Sequence, residues 1–326
     1  MAGPCVRVQP TEGEATRRRL AARDLVDGSR EITADSGWLY IPVRDEPAVP
    51  DDLDVVAFDA PAREPETTPA DLLDFDPSYE RVGDVIVVDE EPERAQRLAE
   101  AVLASDLPAE TVLNRASKVK GEERLREWTV VAGEGTETVH REYGHAFAVD
   151  LAEVYFSPRL ATERHRVVEQ IGPGEQVFDM FAGVGPFAVP AASRGATVVA
   201  VDVNESAIEY LRANAERNGV GDAVTAIHGD VREVAADYRD WADRLLMNLP
   251  HSADEFLETA VGVAGDEAVI HYYDIQHEDD PFGPGEAAIR AAAEPVYDVE
   301  IETRRVVRSY APHELNVVLD ARLHRR

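Results

Sequence analysis

The sequence of 326 residues predicts an α/β fold in which two smaller α+β domains precede an open, mostly parallel sheet of seven strands. Two observations predict this fold. In the second half of the chain, short apolar runs that end in polar or Gly-rich turns alternate with amphipathic helical segments. Two long strand candidates, joined by a short turn, then close the sequence.

Proline, glycine and acidic residues divide the chain into four segments. We expect a small N-terminal domain at 1–46, an acidic and Pro-rich linker at 47–77, a middle domain at 78–152 and the large sheet domain at 153–326. The linker is assigned because it shows no sustained apolar periodicity. The last segment is long enough for seven strands.

The first and third segments contain short predicted elements. The N-terminal domain has a helix at 13–23 and a strand at 37–43, and the middle domain has a helix at 93–104 and strands at 82–89, 111–114, 128–132, 136–141 and 145–150.

The large domain begins with a strand, a Gly-rich turn and a second strand. Residues 176–180 are apolar, and Gly183 and Gly185 allow a tight turn whose backbone can approach a ligand. The apolar run 196–202 ends in Asp202, whose carboxylate can accept both hydroxyls of a ribose. Because open α/β sheets bind ligands at the carboxyl ends of their strands, these turns predict a nucleotide-cofactor site.

A helix is predicted after the second strand. Asn204 is a good N-cap, and Gly219 ends the helix. Ile208, Leu211 and Ala215 lie on one face and predict the side that packs on the sheet.

The third and fourth strands also end in polar groups. Residues 224–230 end in Asp230, a carboxylate suited to an adenine amino group, and residues 244–250 end in Asn248, Leu249 and Pro250. The Gly-rich turn alone does not separate NAD from S-adenosylmethionine. An amide followed by proline can hold a planar, nitrogen-bearing substrate beside a methyl donor, so the fourth turn favours a methyltransferase.

The last two strand candidates cover residues 296–308 and 315–323. A connection this short makes the pair antiparallel, because parallel strands need a long crossover. A hairpin at the sheet edge is typical of the class I (Rossmann-like) methyltransferase fold. We therefore predict a class I seven-stranded sheet with an antiparallel C-terminal hairpin.

Several segments resemble the archaeal and eukaryotic tRNA (guanine(37)-N1)-methyltransferase family. They are DMFAGVGPFAVPAA at 179–192, VDVN at 201–204, MNLPHSADEFL at 247–257, IHYYD at 270–274, VYFSPRLATER at 154–164 and KVKGEERLRE at 118–127. The resemblance spans most of the chain, and its most specific parts are YFSPRLATER and Asn-Leu-Pro.

This resemblance implies S-adenosyl-L-methionine as cofactor and methylation of N1 of the guanosine 3′ of the anticodon in tRNA. The implied cofactor-binding residues are Asp179, Phe181, Gly183, Gly185, Asp202, Asp230, Asn248 and Pro250. The implied catalytic residues are Glu163 as proton acceptor, Arg124 as donor to O6 and Asn248 as the residue that holds the base. The implied substrate-binding residues are Tyr155, Pro158, Arg159 and Arg164.

The chemistry explains why such groups are needed. Guanine N1 carries a proton, so its attack on a methyl sulfonium requires a proton acceptor and a donor that stabilises negative charge on O6. Arg159 lies four residues before Glu163 and is expected to pair with it on a helix. Arg126 is an alternative to Arg124 as the donor, because strand register decides which of the two points inward. Since N1 faces the pairing edge, the nucleotide must also leave its stack.

Two groups of residues have a second interpretation. Asp202 and Asp230 can cap helices as well as contact a ligand. His271, Tyr272, Tyr273, Asp274 and His277 are predicted to lie at the end of a central strand and its loop, because their spacing offers no compact set of metal ligands. No metal is expected.

The composition is strongly acidic, with 64 Asp and Glu against 33 Lys and Arg, of which only Lys118 and Lys120 are lysine. We interpret the net charge of -31 as that of a protein from a halophilic cytosol, where the Debye length falls to ~3 Å at 1 M salt. Such salt weakens phosphate contacts, so RNA binding is expected to depend on shape, stacking and local Arg clusters.

The single cysteine, Cys5, excludes a disulfide within the chain. The sequence has neither a membrane-spanning apolar run nor a signal peptide pattern, so we expect a soluble, cytoplasmic protein without membrane contact. We also expect a monomer.

Three alternatives remain. A wyosine-pathway tRNA aminocarboxypropyltransferase uses the same cofactor and fold, but is expected to lack the Asn-Leu-Pro turn. A non-catalytic RNA-binding protein with a methyltransferase fold is disfavoured by the presence of Asp179, Gly183, Gly185 and Asn248. A nicotinamide-dependent dehydrogenase ranks last, because it has no use for that turn.

Overall fold

The computed structural model describes residues 2–63, 66–118, 121 and 124–326. The chain forms two compact units, Met1–Thr67 and Thr68–Arg326. No helix in the described ranges is both long and apolar enough to cross a membrane.

The first unit is a four-stranded sheet with one helix. Its elements are β1 (Gly3–Val8), α1 (Gly13–Ala21), β2 (Thr33–Asp35), β3 (Trp38–Pro42) and β4 (Asp54–Phe58), and the strand order is β2-β3-β1-β4. Val6, Leu20 and Ile41 are fully buried at its centre. The predictions of a helix at 13–23 and a strand at 37–43 are confirmed.

The prediction of an unstructured linker is wrong at residues 54–58. These residues form β4, which pairs with β1 in antiparallel register, with Cys5 opposite Val56. The apolar residues of β4 pack against the same core as β1. The pairing joins segments far apart in the chain, so the acidic and Pro-rich surroundings concealed it.

The second unit opens with the middle sheet. Its elements are β5 (Glu80–Val82), β6 (Val85–Val88), α2 (Pro92–Ala104), β7 (Thr111–Arg115) and β8 (Trp128–Ala132), in the order β5-β6-β7-β8, followed by the separate hairpin of β9 (Glu137–Glu142) and β10 (His145–Asp150). The predicted strand at 82–89 is divided: a turn at Gly83, with φ of +60°, separates β5 from β6.

The large sheet follows in the same unit. Its elements are α3 (Ala161–Val168), β11 (Gln176–Asp179), α4 (Ala188–Ser193), β12 (Thr197–Asp202), α5 (Glu205–Arg217), β13 (Val224–His228), α6 (Val231–Val234), β14 (Ala242–Met247), α7 (Leu257–Val263), β15 (Ala264–His277), α8 (Gly283–Ala293), β16 (Tyr297–Ala311) and β17 (Glu314–Arg325). The strand order is β13-β12-β11-β14-β15-β17-β16. The first five of these strands are parallel, and β17 is antiparallel to both of its neighbours. The predicted seven-stranded sheet with an antiparallel hairpin is confirmed.

Helix α5 begins as its N-cap predicts and also holds the β9–β10 hairpin. The side-chain oxygen of Asn204 accepts a hydrogen bond from the Ala207 amide at 3.2 Å. Asn214, which is fully buried, accepts from the Ala148 amide at 2.7 Å and donates to the Ala148 carbonyl at 3.0 Å. Asn218 pairs with the Ala146 backbone in the same way. The middle segment and the sheet segment, predicted as separate domains, share one compact unit through such contacts.

Candidate active site

A cleft of about 790 Å³ lies at the carboxyl ends of the parallel strands. The turns after β11, β12, β13 and β14 contribute to it, as do the segment before β8 and the β16–β17 hairpin. Its lining includes Arg124, Arg126, Tyr155, Phe156, Ser157, Leu160, Arg164, Phe181, Gly183, Asp202, Asn204, Asp230, Arg232, Asn248, Leu249, Pro250, His251, Phe256, Arg308, Tyr310 and Asn316. The structure therefore brings most of the predicted site residues into one cavity.

The Gly-rich turn is fixed by Asp202. One carboxylate oxygen of Asp202 accepts a hydrogen bond from the Gly183 amide at 2.7 Å, and the other accepts from the Asn204 amide at 3.0 Å. Gly183 and Gly185 have φ values of +52° and +87°, which favour glycine. A Cβ atom on Gly185 would also lie 3.1 Å from Cγ of Leu211. Gly185 therefore allows the turn to pack closely against Leu211 of α5, whereas Gly183 lines the cleft.

Asp179 is the most unusual ionisable group near this turn. It ends β11 and is completely buried, and among the described residues no side chain donates a hydrogen bond to its carboxyl oxygens, so that only the Phe181 backbone partly offsets the burial. Burial raises the pKa of Asp179 to about 8, and the nearby Asp202 carboxylate acts in the same direction. Asp179 is not among the residues that line the cleft, so it lies beneath the predicted cofactor site.

Asp230 and two aromatic rings form one end of the cleft. The Asp230 carboxylate caps α6 by accepting from the Arg232 amide at 2.9 Å and forms an ion pair with the Arg232 guanidinium at 2.6 Å. The hydrogen bond from Arg232 lowers the pKa of Asp230. That guanidinium lies 4.9 Å above the Phe256 ring, and the Phe181 ring meets the same ring edge-on at 5.0 Å. Capping and cleft lining are thus compatible, as expected.

The Asn-Leu-Pro turn follows β14 and carries Asn248 into the cleft. The next residue, His251, has a φ of +103°, a conformation that non-glycine residues rarely adopt. Its Nε2 atom lies 3.1 Å from the Tyr310 hydroxyl of β16. Burial, together with the nearby Arg124, lowers the pKa of His251, so its ring is neutral at neutral pH. This contact joins the turn to the C-terminal hairpin.

Both candidate arginines of the middle segment reach the cleft. The Arg124 guanidinium lies 4.6 Å above the Tyr155 ring, and that of Arg126 lies 5.4 Å above the Trp128 ring. Arg124 has a φ of +55°. Glu123, Lys120 and two of their neighbours in KVKGEERLRE lie outside the described residues. The choice between Arg124 and Arg126 as the donor to O6 stays open.

The YFSPRLATER segment is only partly turned toward the cleft. Tyr155 lines it, and so does Arg164, which is held by a two-fold ion pair with Glu142 at 2.8 and 2.6 Å. Pro158 begins a short 3₁₀ turn and does not line the cleft. The predicted pair of Arg159 and Glu163 is wrong, because Arg159 pairs with Glu80 of β5 instead.

Arg159 does not reach Glu163 because α3 begins only at Ala161. Residue 159 therefore lies in the preceding 3₁₀ turn rather than one helical turn before Glu163. Glu163 is instead held by Arg166, with N–O distances of 2.7 to 3.1 Å, and accepts from the Tyr273 hydroxyl at 3.1 Å. Arg305 of β16 adds an ion pair at 3.4 Å. Glu163 is only 4% exposed and is not among the cleft-lining residues.

A buried network that sequence reasoning missed continues from Glu163. Arg166 also donates to Asp320 at 2.7 Å, and Asp320 contacts Nδ1 of His271 at 2.6 Å. Because the Arg244 guanidinium donates to Nε2 of His271 at 2.7 Å, the proton of the neutral ring lies on Nδ1. Burial lowers the pKa of His271 and keeps the ring neutral. The sequence did contain a signal for this network: each of two apolar strands carries one charged residue, Arg244 in β14 and Asp320 in β17.

His271 therefore has a structural role in β15. Within the described ranges, no group of three or more His, Cys, Asp or Glu side chains could hold a metal ion. The sequence also did not single out Arg308, Tyr310 and Asn316 as cleft residues, because only the hairpin's position in the sheet brings them there.

The strand order, the Gly-rich turn after β11, the acid that ends β12 and the Asn-Leu-Pro turn after β14 together define a class I methyltransferase. Residues 138–302 match the TRM5/TYW2 methyltransferase domain, residues 5–51 match the tRNA methyltransferase 5 N-terminal domain, and residues 65–136 match the TYW2 N-terminal domain. The chain belongs to the TRM5/TYW2 methyltransferase family.

Individual relatives agree with this assignment. The chain is 39% identical over 331 residues to the tRNA (guanine(37)-N(1))-methyltransferase Trm5b of Pyrococcus abyssi, covering 98% of each chain. It is 35% identical to a tRNA(Phe) (4-demethylwyosine(37)-C(7)) aminocarboxypropyltransferase of Pyrococcus horikoshii, covering 78% of this chain and 92% of that one.

Solved structures agree as well. The complex of aTrm5 and tRNALeu matches with a TM-score of 0.72 and 31% identity, covering 98% of this chain and 99% of that one. Methanocaldococcus jannaschii TYW2 in complex with AdoMet matches with a TM-score of 0.62 and 28% identity, covering 76% and 100%.

Proposed function

We propose that this protein transfers a methyl group from S-adenosylmethionine to N1 of guanosine 37, 3′ of the anticodon, in tRNA. One observation carries the proposal: the chain matches the P. abyssi tRNA (guanine(37)-N(1))-methyltransferase over 98% of both lengths. In the structure, a single cleft contains the predicted cofactor residues Gly183, Asp202 and Asp230 and the predicted base-binding residues Asn248 and Arg124.

The residues present fit the cofactor. When bound, S-adenosylmethionine supplies an electrophilic methyl group on a sulfonium. We assign Gly183 and Asp202 to its ribose side, Asp230 with Phe181 to its adenine, and Pro250 to the wall beside it. The Asp202 carboxylate is already oriented by two backbone amides, so little ordering is needed when a ligand binds.

The guanine side of the cleft is assigned to Asn248, Tyr155 and an arginine. The Asn248 amide holds the base. Arg124 or Arg126 donates to O6 as negative charge develops there. The Arg124 guanidinium is already stacked on Tyr155, which limits its motion before the base arrives.

Glu163 is proposed to accept the N1 proton. Its carboxylate is held in place by Arg166, Arg305 and the Tyr273 hydroxyl. Because Glu163 lies outside the described cleft lining, the proposal requires tRNA binding to bring the base and this carboxylate together; catalytic hydrogen bonds often form only in such complexes.

Aminocarboxypropyl transfer is the second candidate, because an aminocarboxypropyltransferase is 35% identical over 78% of the chain. Two observations favour methyl transfer. Residues 5–51 match the tRNA methyltransferase 5 N-terminal domain, and Asn248 of the Asn-Leu-Pro turn lines the cleft.

Mass spectrometry tests the proposal. We expect a tRNA transcript with guanosine at position 37 to gain one methyl group, and the same transcript with adenosine at that position to gain none. Gain of the larger aminocarboxypropyl group, or no product with saturating cofactor in molar KCl, would overturn it. We further propose that the protein acts as a monomer in a halophilic cytoplasm, and light scattering in molar KCl tests the monomer.

A further inference from the structure

The C-terminal hairpin places two polar side chains in the cleft wall. Neither of them has a role in the binding and catalysis assigned above. Arg308 of β16 and Asn316 of β17 are direct cross-strand partners, and both line the cleft. Asn316 is only 3% exposed. They lie beside Tyr310, whose hydroxyl contacts His251 after the Asn-Leu-Pro turn.

Each of these two side chains has one buried polar atom without a hydrogen-bond partner in the described part of the chain. The side-chain oxygen of Asn316 and Nε of Arg308 are buried, and neither makes a hydrogen bond within the described part of the chain. Buried polar groups are nearly always paired, so two neighbouring exceptions in a cleft wall indicate groups that meet a ligand. Arg308 also forms no ion pair with any described carboxylate, whereas Arg164 and Arg232 in the same cleft are paired with Glu142 and Asp230.

In a chain this acidic, an arginine without an ion pair is unexpected and indicates an anionic ligand. Acidic residues outnumber basic ones by 64 to 33, yet no described carboxylate forms an ion pair with Arg308. The Arg308 guanidinium and the side-chain NH2 group of Asn316 are donors that fit an oxyanion, whereas the unpaired Asn316 oxygen is an acceptor that fits a hydroxyl beside that oxyanion.

Two oxyanions would enter this cleft: a phosphodiester of tRNA and the carboxylate of the cofactor. Asp202, at the end of β12, is assigned to the cofactor's ribose. Between β12 and β17 lie β11, β14 and β15, so Asn316 is four strand spacings away. At roughly 4.8 Å each, this is ~19 Å. In the cofactor, six bonds join the ribose ring to the carboxyl carbon, a chain that is much shorter than ~19 Å even when extended, so the position of the hairpin favours the phosphodiester.

We propose that Arg308 and Asn316 bind a phosphodiester of the tRNA backbone next to the extruded guanosine. This inference rests on the proposed function, because it requires tRNA as substrate. Extrusion rotates a nucleotide about its backbone, so a contact with the adjoining phosphate would hold the extruded state.

The test compares Arg308→Gln with the matched control Arg304→Gln. Arg304 lies on the same strand and its change removes the same charge, but it pairs with Glu286 on the exposed surface and does not line the cleft. Affinity for a tRNA transcript is measured by fluorescence anisotropy over a series of KCl concentrations. We expect Arg308→Gln to weaken binding about tenfold and to reduce the slope of log K against log salt by about 1. Arg304→Gln should change neither, and Arg308→Lys should recover part of the affinity.

Asn316→Ala adds an independent readout. Removing an unpaired buried amide should leave the thermal midpoint of the free protein unchanged or raise it, while tRNA affinity falls. A residue with a purely structural role would show the opposite: a lower midpoint with tRNA affinity retained.

Three results would overturn the inference: unchanged tRNA affinity in Arg308→Gln, equal losses in Arg308→Gln and Arg304→Gln, or a loss of S-adenosylmethionine affinity by calorimetry that matches the loss for tRNA. The last result would assign the pair to the cofactor's carboxylate. Methylation by the wild-type protein is measured in parallel. If the wild type methylates tRNA and the Arg308 variant binds normally, only this inference fails; if the wild type does not methylate, the proposed function fails.

Discussion

Replacing Asp179 by Asn should change how the stability of the second unit depends on pH. An unfolded Asp is ionised above a pH of about 4, whereas burial raises the pKa of Asp179 in the folded protein to about 8. Between these values the folded state binds more protons than the unfolded state, so the carboxyl's contribution to stability falls as pH rises. Asn has nearly the same shape and does not titrate, so the stability of the variant lacks this dependence on pH.

The magnitude follows from the size of the pH interval. Each pH unit within the window corresponds to about 1.4 kcal/mol, so from about pH 5 to about pH 7 the wild type should lose about 3 kcal/mol relative to Asp179→Asn. Urea unfolding, followed by the fluorescence of Trp241 beside the core around β11, measures this difference. Asp222→Asn makes the same substitution at an exposed position in the 3₁₀ turn Gly221–Ala223, and it controls for the loss of a carboxyl group as such. A wild-type to variant difference that stays constant across this interval would show that Asp179 is not buried as a neutral acid.

Three further predictions concern the site and its support. Asn248→Ala should reduce methyl transfer far more than cofactor affinity, whereas Asp202→Ala should mainly raise the cofactor's Kd, by ~10- to 100-fold through lost charged hydrogen bonds; equal effects on calorimetric affinity would contradict this division. Glu163→Gln should suppress single-turnover methylation while tRNA affinity is retained, and near-normal rates at neutral pH would eliminate it as the base. Asn214→Ala should destabilise the second unit by about 2 kcal/mol, because it leaves the Ala148 amide and carbonyl unpaired. Urea unfolding that matches the wild type would refute this last point.

The large sheet was predictable because its signals are local. The helix capped by Asn204 begins where the cap places it, and the turns of Gly183, Asp202 and Asn248 follow β11, β12 and β14 in the predicted order. Parallel strands share one carboxyl edge, so predicting each strand also placed these residues near one another.

The contacts of charged residues were harder to predict. The spacing of Arg159 and Glu163 suited an ion pair, but a 3₁₀ turn rotates residue 159 toward Glu80. Glu163 instead forms ion pairs with Arg166 of its own helix and with Arg305 of β16, a strand far along the chain. In a chain with nearly twice as many acidic as basic residues, each arginine has many possible partners, and only the fold selects one of them.

The sequence by itself determined the class of fold, the family and the order of the turns that line the cleft, because apolar periodicity, glycine turns and caps act over a few neighbouring residues. Only the tertiary structure decided that residues 54–58 form an edge strand, that Glu163 is buried in a network with Asp320 and His271, and that Arg308 and Asn316 face the cleft. These features depend on pairing between distant strands, whose register sets the face on which each side chain lies.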